Sequence, residues 1–257
     1  MTPAAEVSED RLLGGRVRLH QPRDGYRAAI DPVLLAASIK ARPGERLADL
    51  GCGVGAVALC LLARLPGIEV VGLELQEELA ALASANASAN GLGDVFRVFA
   101  GDIRDPPPAL APGSFDQVIC NPPYHPATAG RPSPSTGRAL ARQETGARLE
   151  AWIEASLRLL RHKGRLTFIH RADRLDELYP ALAGGAGGID LLPLWPDRQK
   201  SAKRVIVTAR KGVAAPGRLL QGLVLHRPDG EFTPEASAIL REAAALPLAD
   251  GHRPGGS

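Results

Sequence analysis

Short β-branched stretches alternating with longer helical patterns constrain this chain more than any other feature. The pattern predicts strands at Arg46–Leu50, Glu69–Leu73, Val95–Phe99, Phe115–Cys120, Arg165–His170 and Ile189–Leu194. Between them, helical periodicity covers Val54–Leu65, Leu75–Asn90, Ala147–His162 and Ala172–Ala183. Strand–helix alternation of this kind implies an α/β fold, a doubly wound, mostly parallel sheet covered on both faces. The rhythm breaks once. Arg204–Ala209 reads RVIVTA, a strong strand only nine residues after Leu194. A parallel crossover needs roughly a dozen residues or more, so this final strand is expected to run antiparallel to its neighbours.

The flanking segments are less regular. Asp31-Pro32 predicts a helix start, with the carboxylate as cap and the proline in the first turn of a helix Pro32–Lys40. Asn86 and Asn90-Gly91 read as a helix end with its cap. Arg104–Gly113 is proline-rich and reads as a surface loop, Ala127–Gly137 as a polar loop, and Gly184–Gly188 as a glycine hinge before a strand. At 257 residues the chain is near the top of what one hydrophobic core supports. One domain is therefore expected, with residues 1–45 as an N-terminal extension and helix, 46–210 as the core and 211–257 as a C-terminal appendage.

Composition excludes several classes. The longest apolar run, Val54–Leu65, contains Arg64 and falls short of the roughly 20 residues a bilayer crossing needs, so no membrane partner is expected. Cys52, Cys60 and Cys120 have no CxxC spacing and read as reduced, buried, cytosolic thiols, which predicts a cytoplasmic protein without a metal site. A net charge of +3 does not announce a nucleic-acid partner, which must be argued from local clusters.

The first strand runs into Asp49-Leu50-Gly51-Cys52-Gly53-Val54-Gly55. Glycines at 51, 53 and 55 let the backbone turn sharply and let a ligand approach the main chain. The spacing is neither the dinucleotide fingerprint nor a P-loop, and Asp49 would repel a pyrophosphate while suiting an amine-bearing ligand. Glu74, directly after the second strand, is placed to accept hydrogen bonds from both hydroxyls of a ribose. Asp102, just past the third, can accept one from an adenine amine. Cys52 reads as a small side chain packed under the turn rather than a nucleophile, because no histidine pairs with it. Together these features resemble class I S-adenosylmethionine-dependent methyltransferases over about Leu47–Ala209, which implies a Rossmann-like fold. The resemblance implies that Gly51, Gly53 and Gly55 lie against the methionyl portion of the cofactor, with Asp49 near its amino group, Glu74 on the ribose and Asp102 on the adenine.

After the fourth strand comes Asn121-Pro122-Pro123-Tyr124. A nitrogen conjugated to a π system is a poor nucleophile because its lone pair is delocalised. If the Asn121 side-chain oxygen and the Pro122 carbonyl each accept one N–H, that nitrogen can pyramidalise and aim its lone pair at a methyl carbon. The prolines hold the acceptors in place, and Tyr124 offers a flat face for a planar substrate. Adenine amines and glutamine amides both satisfy this chemistry. His125, next in the chain, reads as a loop histidine rather than a base.

Two further stretches, Gln21–Ala36 and Lys200–Lys211, resemble bacterial tRNA adenine-N6 methyltransferases that modify the anticodon loop of a valine tRNA. That resemblance implies an RNA partner, tRNA first. Arg198, Lys200, Lys203, Arg204, Arg210 and Lys211 crowd one segment, and Arg131, Arg138, Arg142 and Arg148 follow the Asn-Pro-Pro-Tyr motif. Such groups can hold phosphates on either side of an extruded base. Two alternatives remain at this point. Protein-glutamine methyltransferases of release factors carry the same tetrapeptide, but with a sizeable helical domain before the glycine loop, where this chain has about 45 residues. A non-catalytic RNA- or nucleotide-binding module on the same scaffold is the other.

Overall fold

The computed structural model describes residues 6–23, 27–122 and 149–246. The strands are β1 (Val7–Leu12), β2 (Val17–Pro22), β3 (Arg46–Leu50), β4 (Glu69–Glu74), β5 (Phe96–Ala100), β6 (Phe115–Cys120), β7 (Leu160–Arg171), β8 (Ala186–Trp195), β9 (Arg204–Lys211), β10 (Arg218–Leu219) and β11 (Leu223–Val224). The helices are α1 (Ile30–Ser38), α2 (Ala56–Arg64), α3 (Glu77–Ala89), α4 (Leu149–Leu159), α5 (Leu175–Ala183) and α6 (Pro234–Glu242). Strands β3 to β11 make one sheet in the order β10-β8-β9-β7-β6-β3-β4-β5, with β11 also pairing with β8. β5, β4, β3, β6 and β7 are mutually parallel, and β9 is antiparallel to both β7 and β8. The doubly wound sheet with a reversed strand is thus observed where the short Leu194–Arg204 connection required it.

Each face of the sheet has its own apolar cluster. One gathers α1, α2 and α3 on a floor that includes Leu47, Ile119, Ile169 and Ile206. The other packs α4 and α5 on Ala48, Leu50, Val118, Phe168 and Val207. The alternation of sides along each strand follows the two-residue period of the pleat. Helix α2 is apolar all round, with Ala56 to Leu62 buried, which requires cover on its outer side as well. That cover comes from α1 and the β1–β2 hairpin, whose Leu13, Val17 and Leu19 belong to the same cluster.

β2 is bonded on one side by β1 and on the other by side chains. Asn90 accepts from the Arg18 N–H at 2.9 Å and donates to the Arg18 carbonyl at 2.7 Å. Asn86 treats His20 in the same way, at 2.8 Å for each bond. One turn apart on α3, the two amides imitate a neighbouring strand. The expectation that Asn86 belongs to a helix cap is therefore corrected. Asn90 does end α3, with Gly91 at φ 69°, but Asn86 is fully buried inside the structure.

Other boundaries shift for physical reasons. Helix α4 stops at Leu159, and Leu160–His162 belong to β7, where Leu160 pairs with Phe115. The start of α1 is Ile30, with Ala29 as N-cap and no side-chain capping bond. Asp31 instead sits inside the first turn, where its Oδ2 accepts from Arg204 Nε at 3.1 Å. Beyond Lys211 the chain adds β10 and β11 to the sheet and places α6 over the Leu13–Gly15 turn, where the Arg241 carbonyl accepts from Arg16 at 2.9 Å. The Ala127–Gly137 loop, Tyr124 and His125 lie outside the described residues. No helix among the described residues is long and apolar enough to cross a membrane.

Candidate active site at the carboxyl edge of the sheet

The carboxyl ends of the parallel strands form one edge, and the chain places its acidic and glycine residues there in strand order. The turn after β3 is anchored by β4, because the N–H groups of Gly51 and Cys52 both donate to the Leu73 carbonyl, at 2.7 and 3.1 Å. Gly51, Gly53 and Gly55 have φ of 64°, 54° and 86°, a region side chains rarely adopt. Two of them are also crowded. A Cβ on Gly51 would stand 2.5 Å from Trp152 Cη2, and one on Gly55 would stand 2.8 Å from Phe96 Cε1. At Gly53 no described residue lies within 4 Å of that position, so among the described residues the loop is packed at its ends and open at its crest.

Glu74 closes the turn from the other side. Its Oε2 accepts from the Gly53 N–H at 2.8 Å and its Oε1 from the Gln76 N–H at 3.0 Å. The carboxylate is thereby aimed and held, with one lone pair on each oxygen still available for hydroxyl donors. Asp49 lies beneath the loop, 1% exposed. Burial raises its pKa to about 8, the Ala58 N–H in the first turn of α2 acts the opposite way, and the Glu74 charge adds a further rise. Among the described residues its Oδ2 has no hydrogen-bond partner. A buried acceptor left open beside a glycine turn fits a donor group brought by a ligand, as an amine would be.

Asp102 reaches the edge beside Glu74, since β4 and β5 are neighbours, but Arg104 occupies it. Arg104 Nε contacts both carboxylate oxygens at 3.0 Å, and that hydrogen-bonded partner holds the Asp102 pKa below its ordinary value. Asn121 is the first residue past β6, and Leu50 and Cys120 are register partners. Gly51 and Asn121 are therefore the first residues beyond the ends of adjacent parallel strands, which run about 4.8 Å apart. Asn121 is partly exposed and Pro122 is buried. Cys52 is buried under the turn, and burial, followed by the Asp49 and Glu74 charges, holds its thiol proton far too tightly for a nucleophile.

The support beneath the site was not foreseen. Trp152 of α4 underlies Gly51, Phe96 of β5 underlies Gly55, and Asn86 Nδ2 donates to the Val54 carbonyl at 3.0 Å. The spacing of Asn86 and Asn90, two amides four residues apart on one helix face, was the available signal.

The basic residues divide. β9 runs away from the site edge, so Arg204 lies there with Arg198, Lys200 and Lys203 of the preceding loop, whereas Arg210 and Lys211 end the strand on the opposite edge. The expectation that all six crowd one place is corrected by the antiparallel direction of β9. Arg131, Arg138, Arg142 and Arg148 lie outside the described residues.

Comparison with known proteins agrees with this geometry. Residues 29–176 match the methyltransferase small domain family. The chain belongs to that family. It is an S-adenosylmethionine-dependent methyltransferase with the Rossmann-like fold. A Porphyromonas gingivalis protein named tRNA1(Val) (adenine(37)-N6)-methyltransferase is 30% identical over 234 residues, covering 86% of this chain and 89% of that one. A protein of the same name from Dickeya chrysanthemi is 26% identical over 226 residues, covering 86% and 88%. Among solved structures, Atu636 from Agrobacterium tumefaciens, described as a predicted O-methyltransferase, aligns with a TM-score of 0.70 and 27% identity over 84% of this chain and 98% of its own.

Proposed function

We propose that this methyltransferase transfers a methyl group to the exocyclic N6 amine of an adenine in tRNA, in the cytoplasm, with residues 1–257 acting as one unit. The observation that carries the reading is the seat of Asn121, one strand spacing from the Gly51 turn. An acceptor pair placed there serves a conjugated amine. Two carbonyl oxygens accept N–H groups and do not take up a proton, which suits an amine better than a hydroxyl. The relatives named for adenine 37 of tRNA1(Val) make that nucleotide the first substrate to test.

In this reading Gly51, Gly53 and Gly55 receive the methionyl part of S-adenosylmethionine, Asp49 takes its amino group and Glu74 its ribose hydroxyls. Asp102 accepts from the adenine of the cofactor once Arg104 yields one oxygen. When bound, the cofactor supplies an electrophilic methyl on a sulfonium. The Asn121 side-chain oxygen and the Pro122 carbonyl accept the two N–H groups of the target amine, localise its lone pair and stabilise the positive charge that develops on nitrogen. The surplus proton leaves to water. Tyr124 supplies the stacking face for the target base.

The test is nucleoside mass spectrometry of a tRNA1(Val) transcript after incubation with protein and S-adenosylmethionine. N6-methyladenosine is expected, and Asn121→Ala is expected to remove it by a factor of at least about 100 while cofactor binding survives. Methylglutamine in a protein substrate with no methylated RNA would transfer the assignment to the release-factor class.

A further inference from the structure

The reversal of β9 leaves a second basic surface on the edge of the sheet far from Asn121. From Arg204 to Arg210 the strand spans about 20 Å at roughly 3.3 Å per residue. At that far edge Arg210 stands directly opposite Arg165 of β7. Opposed residues of an antiparallel pair project to the same face with Cβ atoms about 5 Å apart, and like charges so placed repel.

Among the described residues no carboxylate forms an ion pair with either of them. Arg165 is half-buried, and its guanidinium makes no hydrogen bond or ion pair among the described residues. Arg210 makes one hydrogen bond there, to the Lys163 carbonyl at 3.4 Å. The acids whose charge reaches Arg165 are Asp190 and Glu45. Both are engaged elsewhere. Arg218 holds the two oxygens of Asp190 at 2.8 and 2.6 Å, and Gln117 Nε2 donates to Glu45 Oε2 at 2.6 Å. Asp116, the acid at the start of β6, is taken by Arg161 at 2.9 Å and by the Arg46 N–H at 2.7 Å. Exposed Lys163 precedes Arg165, and Lys211 follows Arg210, so the positive charge continues along the edge.

We propose that Arg165 and Arg210 form a second anchoring point for phosphodiester groups of the RNA substrate, on the sheet edge opposite the methyl-transfer site. Two guanidinium groups without a carboxylate are completed by phosphate oxygens, which each fork can take in pairs. A strip of charge fits a polymer better than one free phosphate, and a folded RNA can touch two edges about 20 Å apart where a mononucleotide cannot. The inference rests on the reading that RNA is the substrate, and it extends that reading by naming a contact remote from the reacting base.

The experiment compares the full chain with an Arg165→Gln, Arg210→Gln variant for binding to unfractionated tRNA across a salt series, without S-adenosylmethionine, so that no turnover is needed. The slope of log affinity against log salt is expected to fall by about 2, with a loss of at least about tenfold in affinity at low salt. S-adenosylmethionine, which the other edge would hold, is expected to bind both proteins equally in a separate measurement, and Arg165→Lys, Arg210→Lys is expected to restore the slope. An unchanged tRNA slope overturns the proposal, as does an equal loss of S-adenosylmethionine binding, which would mean damage to the site edge. Loss of millimolar inorganic phosphate binding with tRNA affinity intact would also overturn it, assigning the pair to the free ion. A reduced slope in a protein that methylates no RNA would leave the anchor standing and remove the assigned reaction instead.

Discussion

Replacing Asp49 by asparagine tests the buried acid directly. Folding takes this carboxyl from an ordinary pKa of 3.8 to about 8, because desolvation penalises the charged form. Between those values the folded protein holds a proton that the unfolded chain has released. The stability is complete below the unfolded pKa, falls as pH rises through the window, and levels off above about 8. Each pH unit in the window is worth about 1.4 kcal/mol, so from 3.8 to neutrality the loss approaches about 4 kcal/mol as an upper figure. The Asp49→Asn variant would keep the side-chain shape and an acceptor for the Ala58 N–H, without the ionisation. Urea denaturation of both proteins without cofactor, at pH 5, 6 and 7, isolates the term, since every other titrating group cancels in the difference. The advantage of the variant is expected to grow by about 1.4 kcal/mol per pH unit. Parallel curves would refute the argument. The same proton must leave when a cationic amine docks against the carboxyl, so cofactor affinity of the parent should rise with pH toward 8 while the weaker binding of the variant should not follow it.

Three other perturbations probe the surroundings of the loop. Gly51→Ala brings a Cβ to 2.5 Å from Trp152 at positive φ and should cost roughly 2–4 kcal/mol in a denaturation experiment, with weaker S-adenosylmethionine binding. Glu74→Ala frees the Gly53 and Gln76 amides and should weaken S-adenosylmethionine binding in calorimetry by at least about tenfold, and an unchanged affinity would remove Glu74 from the cofactor site. Asn86→Ala strips partners from His20 and Val54 and should destabilise by roughly 2–4 kcal/mol, with faster hydrogen exchange at the His20 amide as the local signature.

The central strands were legible because the fold asks of them what the residues already prefer. Arg46–Leu50 and Phe115–Cys120 are short apolar runs between turn residues, and the structure keeps both boundaries. The glycine turn, the acids along the edge and Asn121 follow from that frame, since each comes directly after a strand. The β1–β2 hairpin was not legible. Its outer strand VSEDRL is largely polar, and the inner strand takes half its partners from asparagine side chains. The sequence pattern overextends α4 because Leu159-Leu160 continues an apolar helical stripe, while pairing with Phe115 converts Leu160 to strand. Helix α6 carries its own start signal in the sequence, with Thr233 capping through the Ala236 N–H and Pro234 in the first turn. The basic cluster failed differently. Nearness in the chain does not make nearness in space, because a strand as long as β9 separates its own ends.

The docking of α6 across the first turn of the fold bears on how the protein is made. Leu13, only 3% exposed, and the α1 surface are covered partly by Ala236, Ile239 and Leu246, and the Leu246 N–H donates to the Ala37 carbonyl at 2.9 Å. During synthesis these apolar groups leave the ribosome early, and the segment that shields them emerges more than two hundred residues later. The nascent chain must therefore carry a bare patch until α6 has emerged, and a transcript cut short before Pro234 would release a product prone to chaperone capture or aggregation.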